Sequence, residues 1–154
     1  MALPDAVAAQ LAAHHVMTLA TVGADGPWAA AVFYAHEDAS LYFLSSPSTR
    51  HGTNLARDAR CAATIQHDVA SWSDVRGLQL EGRARRLAGD EAGHARRLYG
   101  VKFPLVTDLA RAPAAIALAF ARIAWYRLDV ERVHVIDNRL GFGHRDAFDL
   151  RRAD

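Results

Sequence analysis

One short window places hydroxyls, an imidazole and a permanent cation side by side: Ser45-Ser46-Pro47-Ser48-Thr49-Arg50-His51. The apolar, aromatic run Leu41–Leu44 leads into it, and an amphipathic segment carrying His51, Asn54, Leu55 and Arg57 follows. This is the pattern of a strand feeding a helix over about Ser48–Arg57 whose first turn holds hydroxyls and a fixed charge. Unpaired backbone N–H groups and the helix dipole make such a terminus attractive to an anion. Arg50 adds a planar fork able to hold a phosphate through two hydrogen bonds. A plainer chemistry is also open, in which Ser48 or Thr49 caps the helix and Arg50 is solvated.

Other reactive side chains stand apart from one another. Cys61, the single cysteine, lies in an apolar run and reads as a buried structural thiol in a reducing compartment. His14-His15 are neighbours on a strand, so they point to opposite faces, and no nearby Cys or Asp completes a metal set. Asp68 and Asp74 flank Trp72 in a loop able to line a site mouth or simply to be solvated. The Gly-x-Ser-x-Gly, P-loop, dinucleotide and metalloprotease signatures are absent. Chemistry, if the chain performs any, is therefore expected from a bound cofactor.

The formal net charge of +1 over 154 residues removes the broad basic surface that nucleic-acid binding rests on. The arginine pairs Arg85-Arg86, Arg96-Arg97 and Arg151-Arg152 are interleaved with acids or apolar residues and read as solvated faces. The longest apolar stretch, Ala112–Ala121, is broken by Pro113 and falls far short of the ~20 residues that span a bilayer. With no secretory pattern at the start, a soluble cytoplasmic protein is the expectation.

The elements that must hold the window follow from periodicity. Pro4-Asp5 opens a short helix with Val7 and Leu11 on one face. His15–Val22, Pro27–His36 and Leu41–Leu44 read as a meander joined by Gly23-Ala24-Asp25-Gly26 and Glu37-Asp38-Ala39-Ser40. Arg60–Gln66 returns as a strand, and Val75–Leu87 alternates cleanly, with Leu78, Leu80, Gly82 and Ala84 on one face. A helix capped by Asp90 and a helical stretch Asp108–Phe120, broken or started at Pro113, precede strands near Arg122–Leu128 and Arg132–Ile136. Six or seven antiparallel strands with helices packed outside imply a mainly β barrel, formed by residues 1–154 as one domain.

This order of elements, with a phosphate-friendly helix after the third strand, resembles the FMN-binding split-barrel superfamily of pyridoxine (pyridoxamine) 5′-phosphate oxidase. Leu41–His51 is similar to that family's strand, turn and Ser/Thr-Arg-Lys step. Asn54–Ala62 resembles the helix end and return strand, and Gly82–Leu87 the end of the long central strand. Asp137-Asn138-Arg139-Leu140-Gly141-Phe142-Gly143 is especially similar to the YhbP-like branch. The resemblance implies a Greek-key-like split barrel with FMN at a homodimer interface and a small-molecule substrate. It places Ser45, Ser46, Thr49, Arg50, His51 and Asn54 at the phosphate and ribityl chain, and the main chain at Ala31 and Val32 beside the flavin ring. Trp125 is either a core aromatic or a residue reaching the flavin. The loop Asp137–Gly143 is either a surface turn or a crossing segment whose Asn138 or Arg139 bonds the partner's ring or substrate.

Departures from the family pattern bear on activity. His51 stands where the oxidase has a lysine, so a permanent charge is lost there. The oxidase's Arg-x-His substrate grip is not reproduced, since Arg139 is followed by Gly141 at the histidine position, and Gly77 replaces a flavin-holding glutamine. The implied function is an FMN flavoprotein, an oxidoreductase on a small organic substrate. The alternatives are a non-catalytic haem or flavin carrier and a deazaflavin-dependent reductase.

Overall fold

The computed structural model describes residues 2–151; Met1 and residues 152–154, including Arg152 of the closing arginine pair, lie outside them. Its eight strands are β1 (Val16–Gly23), β2 (Gly26–Phe33), β3 (Ala35–Glu37), β4 (Ser40–Ser45), β5 (Arg60–Gln66), β6 (Arg76–Arg86), β7 (Ala124–Asp137) and β8 (Arg145–Asp149). The helices are α1 (Asp5–Ala13), α2 (Arg50–Arg57), α3 (Gly89–Lys102) and α4 (Ala114–Phe120). Seven strands form one path in the order β2-β1-β5-β6-β7-β4-β3, and β8 adds to β7. All pairings are antiparallel. The two ends of the path, β2 and β3, are consecutive in the chain, so the sheet curls back on itself as a split barrel.

Tyr34 makes that split. Its N–H donates to the His15 carbonyl and its hydroxyl to the Leu11 carbonyl at 2.8 Å, which draws the chain inward between β2 and β3. The single strand Pro27–His36 expected from the sequence is therefore two. Conversely, the two closing strands are one, because a bulge opposite Glu81/Gly82 absorbs the polar step at Asp129–Glu131. At Gly82 an added Cβ would lie 2.1 Å from the Asp129 carbonyl oxygen, so only glycine passes there. Inward residues of β1, β4, β5, β6 and β7 fill the barrel, with Met17, Leu19, Leu41, Phe43, Ile65, Leu78 and Leu128 all at or below 2% exposure. Val7 and Leu11 of α1 join this core.

α3 lies outside β3 and β4, burying Ala95 and Tyr99 against Tyr42, Leu87 and Trp125. Its N-cap is Ala88, and Asp90 sits in the first turn instead of capping it. Pro113 N-caps α4, whereas Leu109–Arg111 is a 3-10 turn. No helix among the described residues is long and apolar enough to cross a membrane.

Candidate functional site

The hydroxyl window folds as a compact knot between β4 and α2. Thr49 is the N-cap: its Oγ1 accepts from the Gly52 N–H at 3.1 Å and donates to the Ser46 carbonyl at 2.8 Å. Ser45 closes the knot from the strand side, hydrogen-bonded to His51 Nε2 at 2.6 Å and to Thr49 Oγ1 at 3.2 Å. Ser46 and Ser48 bond to each other at 2.8 Å on the exposed side. His51 is 9% exposed, and burial lowers its pKa from the ordinary 6.5, so the ring is neutral at neutral pH. The imidazole therefore supplies no charge, and Arg50 is the permanent cation of the first turn.

α2 is docked on the β1–β2 hairpin by two side chains one helical turn apart. Asn54 Nδ2 donates to the buried Thr21 Oγ1 at 3.0 Å. Its amide oxygen lies where a Cβ on Gly23 would be, 1.9 Å away, so the helix sits this close only because residue 23 is glycine. Arg50 reaches the same hairpin: Nη2 donates to the Asp25 carbonyl at 3.1 Å and Cζ lies 4.4 Å from the centre of the Trp28 ring. Thr21 and Trp28 face each other across β1 and β2, so one cross-strand pair receives both contacts.

The outer face of β2, β1 and β5, opposite the side that Arg50 and Asn54 contact, is uncovered and lined by small or apolar residues. Ala31 opposes Thr18, Ala29 opposes Ala20, and Ala20 opposes Ala62. Ala20, Ala29, Ala31 and Ala62 are all exposed, as are Val22 at 43% and Phe33 at 55%. Val32 points the other way, into the core at 9% exposure.

Comparison with known proteins gives this arrangement a family. Residues 3–137 match the family model described as "Pyridoxamine 5'-phosphate oxidase". The chain belongs to the pyridoxamine 5′-phosphate oxidase family. Among its relatives, UPF0306 protein YhbP of Escherichia fergusonii is 30% identical over 142 residues, covering 91% of this chain and 88% of that one. A heme binding protein from Mycobacterium smegmatis superposes with a TM-score of 0.72 at 28% identity, over 97% of this chain. This chain spans 60% of that protein's length. A FAD-binding protein from Mesorhizobium loti shares the fold at a TM-score of 0.65 and 21% identity, over 85% of this chain and 92% of that one.

The residues at the knot fit the phosphate end of FMN. The Arg50 and His51 amides stand in the first turn of α2, ahead of the intrahelical ladder. Arg50 has several N–H donors beyond the one given to Asp25. The side chains of Ser45, Thr49, His51 and Asn54 are hydrogen-bonded within the protein and shape the turn, while Arg50 and the Ser46 and Ser48 hydroxyls lie on the exposed side.

Three expected site residues are not brought to this knot. Trp125 pairs with Leu44 and stacks edge-to-face on Tyr99 at 5.3 Å, on the outer side of the sheet under α3 and away from Ser45. Asn138 and Arg139 lie at the opposite end of the barrel, since Asp137 pairs with Arg76 and Gly77 with Gln66. From Arg60, just after α2, to Gln66 is six residue rises, about 20 Å. There Asn138 is a staple: Nδ2 donates to the Trp72 carbonyl at 2.8 Å and Oδ1 accepts from the Gly143 N–H at 3.0 Å. Arg139 is ion-paired to Asp137 at 2.6 Å.

The staple presents an aromatic pair that sequence reasoning did not connect. Trp72 and Phe142 meet edge-to-face at 5.1 Å although both are exposed, 67% and 80%. The only sequence signal was an apolar Phe142 set between two glycines. Cys61 is a core thiol, pushed up to about 12 by burial and so unreactive at neutral pH. His14 contacts His67, with ring centroids 4.1 Å apart. Among the described residues no group of three or more His, Cys, Asp or Glu could hold a metal.

Proposed function

We propose that residues 1–154 form one FMN-binding split-barrel domain that works as a homodimer, an oxidoreductase acting on a small organic substrate. The observation that carries this reading is the position of Arg50 at the turn of the β1–β2 hairpin, whose outer face is uncovered and lined by small residues. Arg50 and the α2 amides bind the flavin phosphate as a fixed positive terminus. The small side chains around Ala31 let a flat ring lie close to the β2 main chain, where N–H and C=O groups orient it.

A single subunit leaves that face open to water. Two copies related by a two-fold axis lying across the strands cover it, and they set α2 of one beside the Trp72–Phe142 end of the other. The partner's exposed aromatic pair then shields the ring from solvent, and the Asp137–Gly143 loop contributes through the position it gives Phe142. FMN, when bound, supplies the electron-transfer chemistry; the chain supplies orientation, electrostatics and exclusion of water.

A haem carrier is the second reading, favoured by the 28% identity with the mycobacterial heme binding protein across 97% of this chain. Parallel absorbance titrations with FMN and with haemin separate the two. Saturable flavin binding at micromolar concentration, followed by reduction with NADH or NADPH and steady turnover with an acceptor, is the expected result. A Soret band with no flavin binding supports the carrier, and FMN bound without turnover supports a flavin store.

A further inference from the structure

Arg50 is held in place before any ligand arrives. Its guanidinium lies over the Trp28 ring, 4.4 Å from Cζ to the ring centre, and one Nη2 hydrogen is given to the Asp25 carbonyl. Trp28 is 41% exposed, which is unusual for a tryptophan on the barrel side of β2. Its ring serves less to fill the core than to floor the arginine. The floor is itself fixed: Trp28 faces Thr21 across the hairpin, and Thr21 is buried at 4% and tied to Asn54 one turn along α2. Helix, hairpin and arginine are thus joined by one chain of contacts.

We propose that Trp28 is the positioning residue of the phosphate clamp, and that through Arg50 it sets the preference for a phosphorylated flavin over one without phosphate. The inference rests on the flavin reading above. A guanidinium laid on an aromatic face keeps its N–H donors around the edge of its plane, free for a bidentate oxyanion. Rotamer freedom that a solvated arginine would lose on binding is already lost, so the ring acts by preorganisation.

The test compares FMN and riboflavin, which share the ring and ribityl chain and differ in the phosphate. Wild type, Trp28→Leu, Trp28→Gln and Trp28→Phe are titrated with each, alongside thermal melts of the apo-proteins. Either ring-free variant is expected to bind FMN about 3- to 30-fold more weakly, the range of a cation–π contact, with riboflavin affinity unchanged. Trp28→Phe restores most of the loss. In an Arg50→Ala background, Trp28→Leu has no further effect on FMN. Equal weakening of FMN and riboflavin overturns the inference, because the ring then touches the flavin or merely supports the fold. An unchanged FMN affinity in both ring-free variants overturns it too. A wild-type protein that binds neither flavin overturns the flavin reading itself, and this inference falls with it.

Discussion

The Ser45 hydroxyl and the His51 imidazole are hydrogen-bonded at 2.6 Å where β4 turns into α2, inside the protein. His51 is thus a strut between strand and helix.

The strut has a pH signature. Burial keeps the folded pKa of His51 below its ordinary 6.5, so the unfolded chain takes up the proton first as pH falls. The stability contributed by the neutral ring is complete above about pH 6.5 and is lost as pH drops toward the lowered folded value. Urea unfolding between about pH 7.5 and about pH 5 should show wild type losing stability on acidification. His51→Asn should lose less over the same interval. The remaining slope belongs in part to His36 and His67, whose pKa values burial also lowers. An identical slope in the variant would remove His51 from this account.

Asn54 and Gly23 should behave as a coupled pair. Asn54→Ala leaves the buried Thr21 hydroxyl unpaired and should cost about 1–3 kcal/mol of stability. Gly23→Ala in the natural background drives a methyl into the Asn54 amide and should also destabilise. In the Asn54→Ala background the same methyl has room, so the double variant should be more stable than the sum of the two losses. Strict additivity in urea unfolding would show that the two positions do not meet.

What the sequence made legible was local. The strand–turn–helix step at Leu41–Arg57 and the alternation ending at Arg86 could be read because each signal sits within a few residues of its cause. Of the two N-cap candidates, only the fold selects Thr49, through its bond to Gly52. What escaped depends on partners far along the chain. Tyr34 breaks its strand because His15 and Leu11 pull on it. Asn138 staples loops through Trp72, 66 residues away, although its type and its glycine neighbours fitted a ring contact equally well. β8 has only Ala147 and Phe148 as apolar content and exists because β7 offers it an edge.

The uncovered sheet face gives a prediction about assembly. Light scattering should return about twice the chain mass of 16.8 kDa. Ala31→Glu places a charge in the middle of that face, and should give a monomer with much weaker FMN binding but a folded barrel by circular dichroism. A dimer that survives Ala31→Glu would move the interface elsewhere. A wild-type monomer that binds FMN tightly would contradict the shared site.

The most direct measurement is FMN titration of Arg50→Ala, with riboflavin as the comparator and apo-protein melts as the fold control. Loss of a charge-assisted clamp on the phosphate should weaken FMN by about 1.5–3 kcal/mol, roughly 10- to 150-fold, and leave riboflavin unchanged. An FMN affinity equal to that of wild type would show that the first turn of α2 does not hold the phosphate.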